Sequence, residues 1–150
     1  MKSAGWGLVL AAWLALGSGG ATAQASHTAE HPKKHRIVYH LNEAGAAKAS
    51  AVLVNIQNHV DVVGWKNIEA LELVVHGPAL RTFLRKDLDP DVRGKMDTLL
   101  AGGLRMDACQ ITLARQKLKL EELIEGLTAV PSGVARVMEL QELGYAYIKP

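Results

Sequence analysis

Strand-like and helix-like runs alternate along most of this 150-residue chain, and that alternation restricts the fold more than any other feature. β-rich runs are separated by runs whose apolar residues recur at helical spacing, as over 46–60. The β-rich runs lie at 37–41, 68–75, 104–108, 127–130 and 145–148. Because strands separated by helices require crossover connections, the pattern predicts an α/β fold with a five-stranded, mostly parallel sheet covered on both faces.

Capping residues mark several of the helices between these strands. A helix is expected to open at Asp89-Pro90-Asp91 and to stop at Gly102-Gly103, and Ser132 is placed to cap a helix over 134–143. The apolar face predicted for that last helix contains Val134, Val137, Met138 and Leu140. Short helices are expected over 79–84, 111–116 and 120–124.

The first residues have the pattern of an export signal. Lys2 precedes an uncharged apolar run from Trp6 to Leu16, and A-x-A cleavage sites follow at 21–23 and 23–25. The run is shorter than the ~20 residues that span a bilayer, so we expect a cleaved signal peptide over 1–25 rather than stable membrane insertion. An uncleaved amphitropic segment is the alternative. We predict a periplasmic or secreted protein with a flexible lead-in over 26–35 and one domain over 36–150.

Charge and cysteine content exclude several classes of protein. Lys and Arg total 17 against 15 Asp and Glu, which gives a formal net charge of +2 without the clustered basic surface of a nucleic-acid binder. The single cysteine, Cys109, excludes an internal disulfide, so hydrophobic burial must hold the fold. We therefore expect no nucleic-acid partner and no disulfide scaffold.

The carboxyl ends of the predicted strands carry the candidate site residues, because parallel α/β sheets bind ligands at that edge. Cys109 ends a strand and precedes a helix, a position where free N–H groups favour thiolate over thiol, and we treat it as the candidate catalytic nucleophile. His40 and His76 are candidate partners of that thiol. The candidate binding residues on the same edge are Asn42, Gly77, Gln110, Ser132 and Gly133.

Structural roles are the alternative for each of these residues. Cysteine is often a small buried hydrophobe, and a strand-terminal histidine often bonds a loop carbonyl. Asn42 and Ser132 are also typical of turns and helix caps. The residues alone leave both interpretations open.

Metal and cofactor signals are weak in this sequence. His27, His31 and His35 recur every four residues and could bind Cu or Zn together with His40, although Pro32 interrupts a continuous helix there. The chain has no C-x-x-C-H haem motif, no P-loop and no G-x-G-x-x-G fingerprint. We expect no cofactor and no metal site in the folded domain.

Several segments resemble the DsrE/DsrF-like family, the superfamily of the TusBCD sulfur-relay subunits and YchN, and most closely its exported single-domain branch. They are IVYHLNE, NIQNHV, VVHGPAL, the strand end Ala108-Cys109 followed by Thr112-Leu113, and VPSGVARVMELQELGYAYIKP. The resemblance implies a three-layer α/β/α sandwich that assembles as trimers or hexamers. It also implies that a cysteine matching Cys109 accepts sulfur as a persulfide and hands it on. The chain departs from the family at Ile111, where relatives often have asparagine, and at Met106, where an aromatic residue is common.

Three functional hypotheses result. The first is periplasmic sulfur handling through a persulfide on Cys109, by a transfer protein with a sulfur donor or acceptor protein as partner rather than a stand-alone enzyme. The second is a non-catalytic oligomeric module of the same fold that binds a ligand or a protein. The third is metal binding by the N-terminal histidines. In the first two, we expect a homo-oligomer.

Overall fold

Five parallel strands form one sheet, in the order β4-β3-β2-β1-β5, in the computed structural model, which describes residues 34–150. The strands are β1 His35–Leu41, β2 Ile68–Val75, β3 Arg105–Cys109, β4 Leu127–Val130 and β5 Ala146–Ile148. Every neighbouring pair is parallel, which confirms the predicted α/β fold. The predicted signal peptide lies outside the described residues, as does the predicted lead-in up to Lys33. β1 already begins at His35.

Four α-helices connect the strands: α1 Ala46–Val63, α2 Pro90–Gly102, α3 Gln110–Gln116 and α4 Gly133–Glu142. The predicted caps of two of them are confirmed. The Asp89 carboxylate accepts the N–H groups of Asp91 and Val92 at 2.9 and 3.2 Å, and the Ser132 hydroxyl accepts the N–H of Ala135 at 3.4 Å. None of the helices within residues 34–150 is long and apolar enough to cross a membrane.

Two short segments predicted as helices are 3-10 turns instead, over Gly77–Phe83 and Leu120–Glu122. The second prediction was wrong for a tertiary reason. The backbone around Leu123 is extended and pairs with the segment around Leu84 in an antiparallel bridge, so the helical turn ends after Glu122. The Ile124 N–H accordingly donates to the Phe83 carbonyl at 2.9 Å.

The two faces of the sheet are covered unequally. The main core lies on one face, where side chains of α1, α2 and α3 pack against Ile37, Leu73 and Met106 of the sheet. On the opposite face, Val38 and Val74 pack against Val137 and Leu140 of α4 and against Tyr145, which directly precedes β5. The connections from β1 to β2, β2 to β3 and β3 to β4 all run in the same direction across the sheet, so their right-handed crossovers place the helices on one face. The connection from β4 to β5 runs in the opposite direction and therefore places α4 on the other face.

The buried side of α4 differs from the predicted apolar face. Val137 and Leu140 are buried against the sheet, whereas Val134 and Met138 are 65% and 52% exposed. The prediction was therefore wrong for Val134 and Met138. A helix that lies over a sheet buries only a narrow stripe of its surface, which in α4 contains Gly133, Val137 and Leu140. Val134 and Met138 each follow a residue of this stripe and therefore lie outside it.

Candidate functional site

Cys109 is the last residue of β3 and pairs in register with Val130 of the neighbouring strand β4. From these adjacent strand ends the chain turns to opposite faces, because α3 follows β3 onto the main core face while α4 follows β4 onto the other. Such a divergence opens the crevice in which α/β sheets bind ligands. Cys109 thus lies at the topological switch point of the sheet, with 4% of its surface exposed.

Hydrogen-bond donors from two separate segments face the Cys109 thiol. Burial raises the pKa of the thiol, but the Thr112 hydroxyl and the backbone N–H groups of Gly133, Thr112 and Ile111 outweigh it, so that its pKa lies below the ordinary value. Ile111 and Thr112 belong to the turn that directly follows the cysteine, and Gly133 is the first residue of α4. Neutral donors therefore stabilise the thiolate, as they would an oxyanion.

Thr112 is oriented by the loop that follows β2. Its hydroxyl oxygen accepts the Gly77 N–H at 3.0 Å, which leaves the hydroxyl hydrogen free to point at the sulfur. The Gln116 side-chain amide donates to the Gly77 carbonyl at 2.8 Å and fixes this loop from the other side. Gly77 has a φ of 59°, a conformation that an L side chain rarely adopts.

We expect Thr112→Val to weaken the thiolate. Valine has the same shape but no hydroxyl, so the sulfur loses one charge-assisted hydrogen bond and the Gly77 N–H loses its acceptor. Below the thiol pKa, the iodoacetamide alkylation rate of Cys109 should fall about tenfold, since a bond to a charged group contributes ~1.5–3 kcal/mol. Thr112→Ser keeps the hydroxyl and is the matched control. Equal alkylation rates for the valine and serine variants would contradict this role.

Gly133 permits α4 to approach the strand ends closely. A Cβ atom at residue 133 would lie 3.0 Å from the Cβ of His76, 3.2 Å from the Cβ of Cys109 and 3.3 Å from the Cδ2 of His76. These distances are shorter than ordinary contacts between carbon atoms. Because residue 133 has no side chain, its N–H can approach the Cys109 thiol. The same distances show that Cys109 and His76 both lie next to Gly133.

His40 and His76 form a pair with each other. Their Nε2 atoms are 2.6 Å apart, and their rings stack with centroids separated by 4.8 Å. The Nδ1 atom of His40 is 2.7 Å from the Tyr147 hydroxyl. These hydrogen bonds extend from His76 toward the surface at Tyr147 and not toward the sulfur.

The surroundings of the histidine pair favour the neutral form of both rings. Burial, followed by the nearby His76 and Lys149, lowers the pKa of His40 to about 4. Burial and Lys149 also lower the pKa of His76. A hydrogen bond between two imidazole nitrogens requires one lone pair and one N–H, which agrees with two neutral rings. The pair borders the Cys109 site without placing a positive charge there.

A buried ion network lies further back along β2 and β3, beneath α4. The Arg136 guanidinium contacts Glu72 at 2.7 Å through Nη2 and Asp107 at 2.9 Å through Nε, and the Tyr145 hydroxyl donates to Glu72 at 3.1 Å. Glu72 and Asp107 are 1% and 6% exposed. The sequence analysis missed all four residues, although an acidic residue within an apolar strand signals a buried partner.

Comparison with protein families identifies the group to which the chain belongs. The model of the DsrE/DsrF-like family matches residues 22–150. The chain belongs to the DsrE/DsrF-like family. Sulfur relay is the activity associated with this family in general, and its members work in multi-subunit complexes. No curated protein sequence matches the chain closely enough to count as a relative.

Two solved structures resemble this DsrE-like chain. The protein of unknown function MTH1491 from Methanobacterium thermoautotrophicum is 28% identical, with a TM-score of 0.66 over 78% of this chain and 100% of that protein. YchN from E. coli is 15% identical, with a TM-score of 0.60 over 79% of this chain and 99% of YchN. The second similarity concerns the fold alone.

The remaining predicted residues occupy varied positions in the DsrE-like domain. Gln110 is exposed at the first position of α3, and Ser132 caps α4. Asn42 follows β1, and its buried side-chain oxygen has no hydrogen-bond partner within the described part of the chain. His27 and His31 lie outside the described residues, and His35 lies in β1. Between residues 34 and 150, no three His, Cys, Asp or Glu residues form a group that could hold a metal ion.

Proposed function

We propose that this DsrE-like protein handles sulfur by carrying it as a persulfide on Cys109 and transferring it to a partner. The observation that carries the proposal is the set of donors at the thiol, which come from Thr112, Ile111 and Gly133 and lower its pKa despite burial. Sulfur transfer requires a thiolate, because the thiolate is the nucleophile toward sulfane sulfur. The association of the family with sulfur relay supports the same chemistry.

The proposed loading step needs no added oxidant. The Cys109 thiolate attacks the outer sulfur of a donor persulfide, R–S–SH, and a new S–S bond forms as the S–S bond of the donor breaks. The donor leaves as the thiolate R–S⁻, and Cys109 becomes Cys–S–SH. Delivery is the reverse exchange, in which an acceptor thiolate attacks the outer sulfur and the Cys109 thiolate leaves. The donors that stabilise the free thiolate also stabilise it as this leaving group.

Burial of Cys109 suits a carrier that must protect its load. With 4% of its surface exposed, the residue is shielded from the bulky thiols that would remove its sulfur. The exposed Ile111 and Val134 lie on the two segments that supply the N–H donors, and they form an apolar border beside the site. Such a border disfavours water and charged competitors.

Intact-mass spectrometry tests the carrier role directly. After incubation with inorganic polysulfide, the wild-type protein should gain about 32 Da, the mass of one sulfur atom, and lose it on reduction with dithiothreitol. Cys109→Ser should gain nothing under the same conditions. A wild-type protein that is alkylated by iodoacetamide but never gains sulfur would refute the proposal.

A non-catalytic module of the same fold is the second candidate, and the burial of Cys109 favours it. This interpretation predicts that the folded protein resists both iodoacetamide and polysulfide, whereas the urea-unfolded chain reacts with iodoacetamide. The lowered thiol pKa and the position at the switch point favour the carrier instead. The third hypothesis, metal binding by His27, His31 and His35, has support only from their spacing.

The location and the assembly are also proposals. The pattern of residues 1–25 supports export to the periplasm. Exposed apolar residues on the α4 face and around the site, namely Val134, Met138, Ile111 and Tyr147, support association with further copies of the chain. A monomeric mass in light scattering would contradict the assembly.

A further inference from the structure

The first turn of α4 has little apolar support of its own. Val134 and Met138 face outward, and the apolar side chains buried beneath the helix, Val137 and Leu140, lie beyond its first turn. Gly133, whose N–H reaches the thiol, has no side chain with which to hold its place. Something other than hydrophobic packing must therefore fix the beginning of this helix.

Arg136 ties that first turn to two strands. Its own N–H donates to the Ser132 carbonyl at 2.9 Å, so Arg136 and Gly133 belong to the same turn of α4. Its guanidinium contacts Glu72 in β2 and Asp107 in β3. Asp107 lies on the same face of β3 as Cys109, two residues before it, because side chains alternate along a strand. The ion network thus connects α4 to the strand that carries the thiol.

The charges in this network hold α4 against the sheet. Glu72 and Asp107 together carry two negative charges when ionised, and both are almost fully buried. Arg136 is the cation that contacts both of them, and its planar fork can bond two carboxylates at fixed angles. Moving α4 away from the sheet would separate buried carboxylates from their counter-ion, which opposes any such movement.

We propose that Arg136 is a positioning residue for Cys109, which holds the first turn of α4 against β2 and β3 so that the Gly133 N–H faces the sulfur. The inference rests on the carrier role proposed above, and it assigns to the two ion pairs of Arg136, with Glu72 and Asp107, the task of setting the nucleophilicity of the thiol. Arg136 acts through Gly133.

The test compares Arg136→Lys and Arg136→Gln with wild type. Lysine keeps a positive charge beside the carboxylates and so preserves the fold, but its single ammonium cannot reproduce both bonds of the guanidinium. Glutamine removes the charge as well. We expect the pH profile of iodoacetamide alkylation at Cys109 to move to higher pH in both variants, further for glutamine. Below the thiol pKa, the rate for the glutamine variant should fall about tenfold.

Two control variants separate positioning from general loss of stability. Leu99→Ala truncates a buried side chain of α2 on the opposite face of the sheet and should leave the alkylation profile unchanged. Tyr145→Phe removes a bond to Glu72 but keeps both Arg136 contacts, and it should also match wild type. A wild-type profile in folded Arg136→Lys and Arg136→Gln would overturn the inference, as would an equal shift in Leu99→Ala.

The result is independent of the sulfur-loading test. If wild type gains sulfur and the Arg136 variants keep the wild-type alkylation profile, then the inference fails and the carrier role stands. If the profiles shift but no protein gains sulfur, then the carrier role fails and the positioning contact stands.

Discussion

A Gly133→Ala variant should lose much of the thiolate character of Cys109. The added methyl group would lie 3.0 Å from the His76 Cβ and 3.2 Å from the Cys109 Cβ, and backbone-proximal atoms of this kind cannot rotate away. The first turn of α4 must therefore shift by a few tenths of an ångström, which lengthens the hydrogen bond from the Gly133 N–H to the sulfur. We expect the alkylation rate below the thiol pKa to fall by about tenfold and stability to fall by ~1–3 kcal/mol.

Gly94→Ala is the matched control for this substitution. Gly94 lies in α2, and a Cβ at that position would meet no atom within 4 Å. Because alanine is the better helix former, this variant should be more stable than wild type by about 0.5–1 kcal/mol and should keep the wild-type alkylation profile. If Gly133→Ala matched Gly94→Ala in both stability and the alkylation profile, then the close approach of α4 would not control the reactivity of the Cys109 thiol.

Replacing Arg136 with methionine should destabilise the fold strongly at pH 7. Methionine leaves Glu72 and Asp107 buried without their counter-ion, and breaking a buried pair in this way costs about 3–5 kcal/mol. Urea unfolding of the two proteins measures the difference. Arg93→Met removes an exposed partner of Asp97 and should change stability by less than about 1 kcal/mol.

The loss of stability caused by Arg136→Met should become smaller as the pH falls. Burial raises the pKa of the Asp107 carboxyl above its ordinary value, the Arg136 guanidinium opposes part of this rise, and the neighbouring Glu72 adds to it. The folded state therefore binds the proton more tightly than the unfolded state does, and stability is gained as pH falls through the raised pKa. Without Arg136 that pKa rises further, so the variant should regain stability from a higher pH than wild type. A loss that stays constant between pH 7 and pH 4 would contradict this assignment.

Local patterns were sufficient for most of the fold. The strand over Ile68–Val75 and the caps at Asp89 and Ser132 agree with the structure because hydrophobic spacing and capping chemistry act within a few residues. The segment at 120–124 was predicted incorrectly because its extended end pairs with residues around Leu84, a contact that no local pattern reveals.

The candidate site was predictable in its location and less so in its contacts. Parallel strands bring their carboxyl ends together, so Cys109, His76 and Gly133 could be assigned to one edge of the sheet from the sequence. The predicted pairing of Cys109 with imidazole is untested, whereas the structure shows His40 bonded to His76 and to Tyr147. A shared edge does not decide which neighbours a side chain contacts.

The sequence by itself determined the parallel α/β architecture, the family resemblance and the position of one cysteine at a strand end, since these depend on residue spacing along the chain. Only the tertiary structure decided that the Cys109 thiol is buried yet has a lowered pKa, because the donors at the sulfur include an N–H from a distant helix. The bond between Arg136 and Glu72 likewise joins residues 64 positions apart. Hydrogen bonds and ion pairs depend on distances of a few ångströms, which are fixed only when helices and strands pack together.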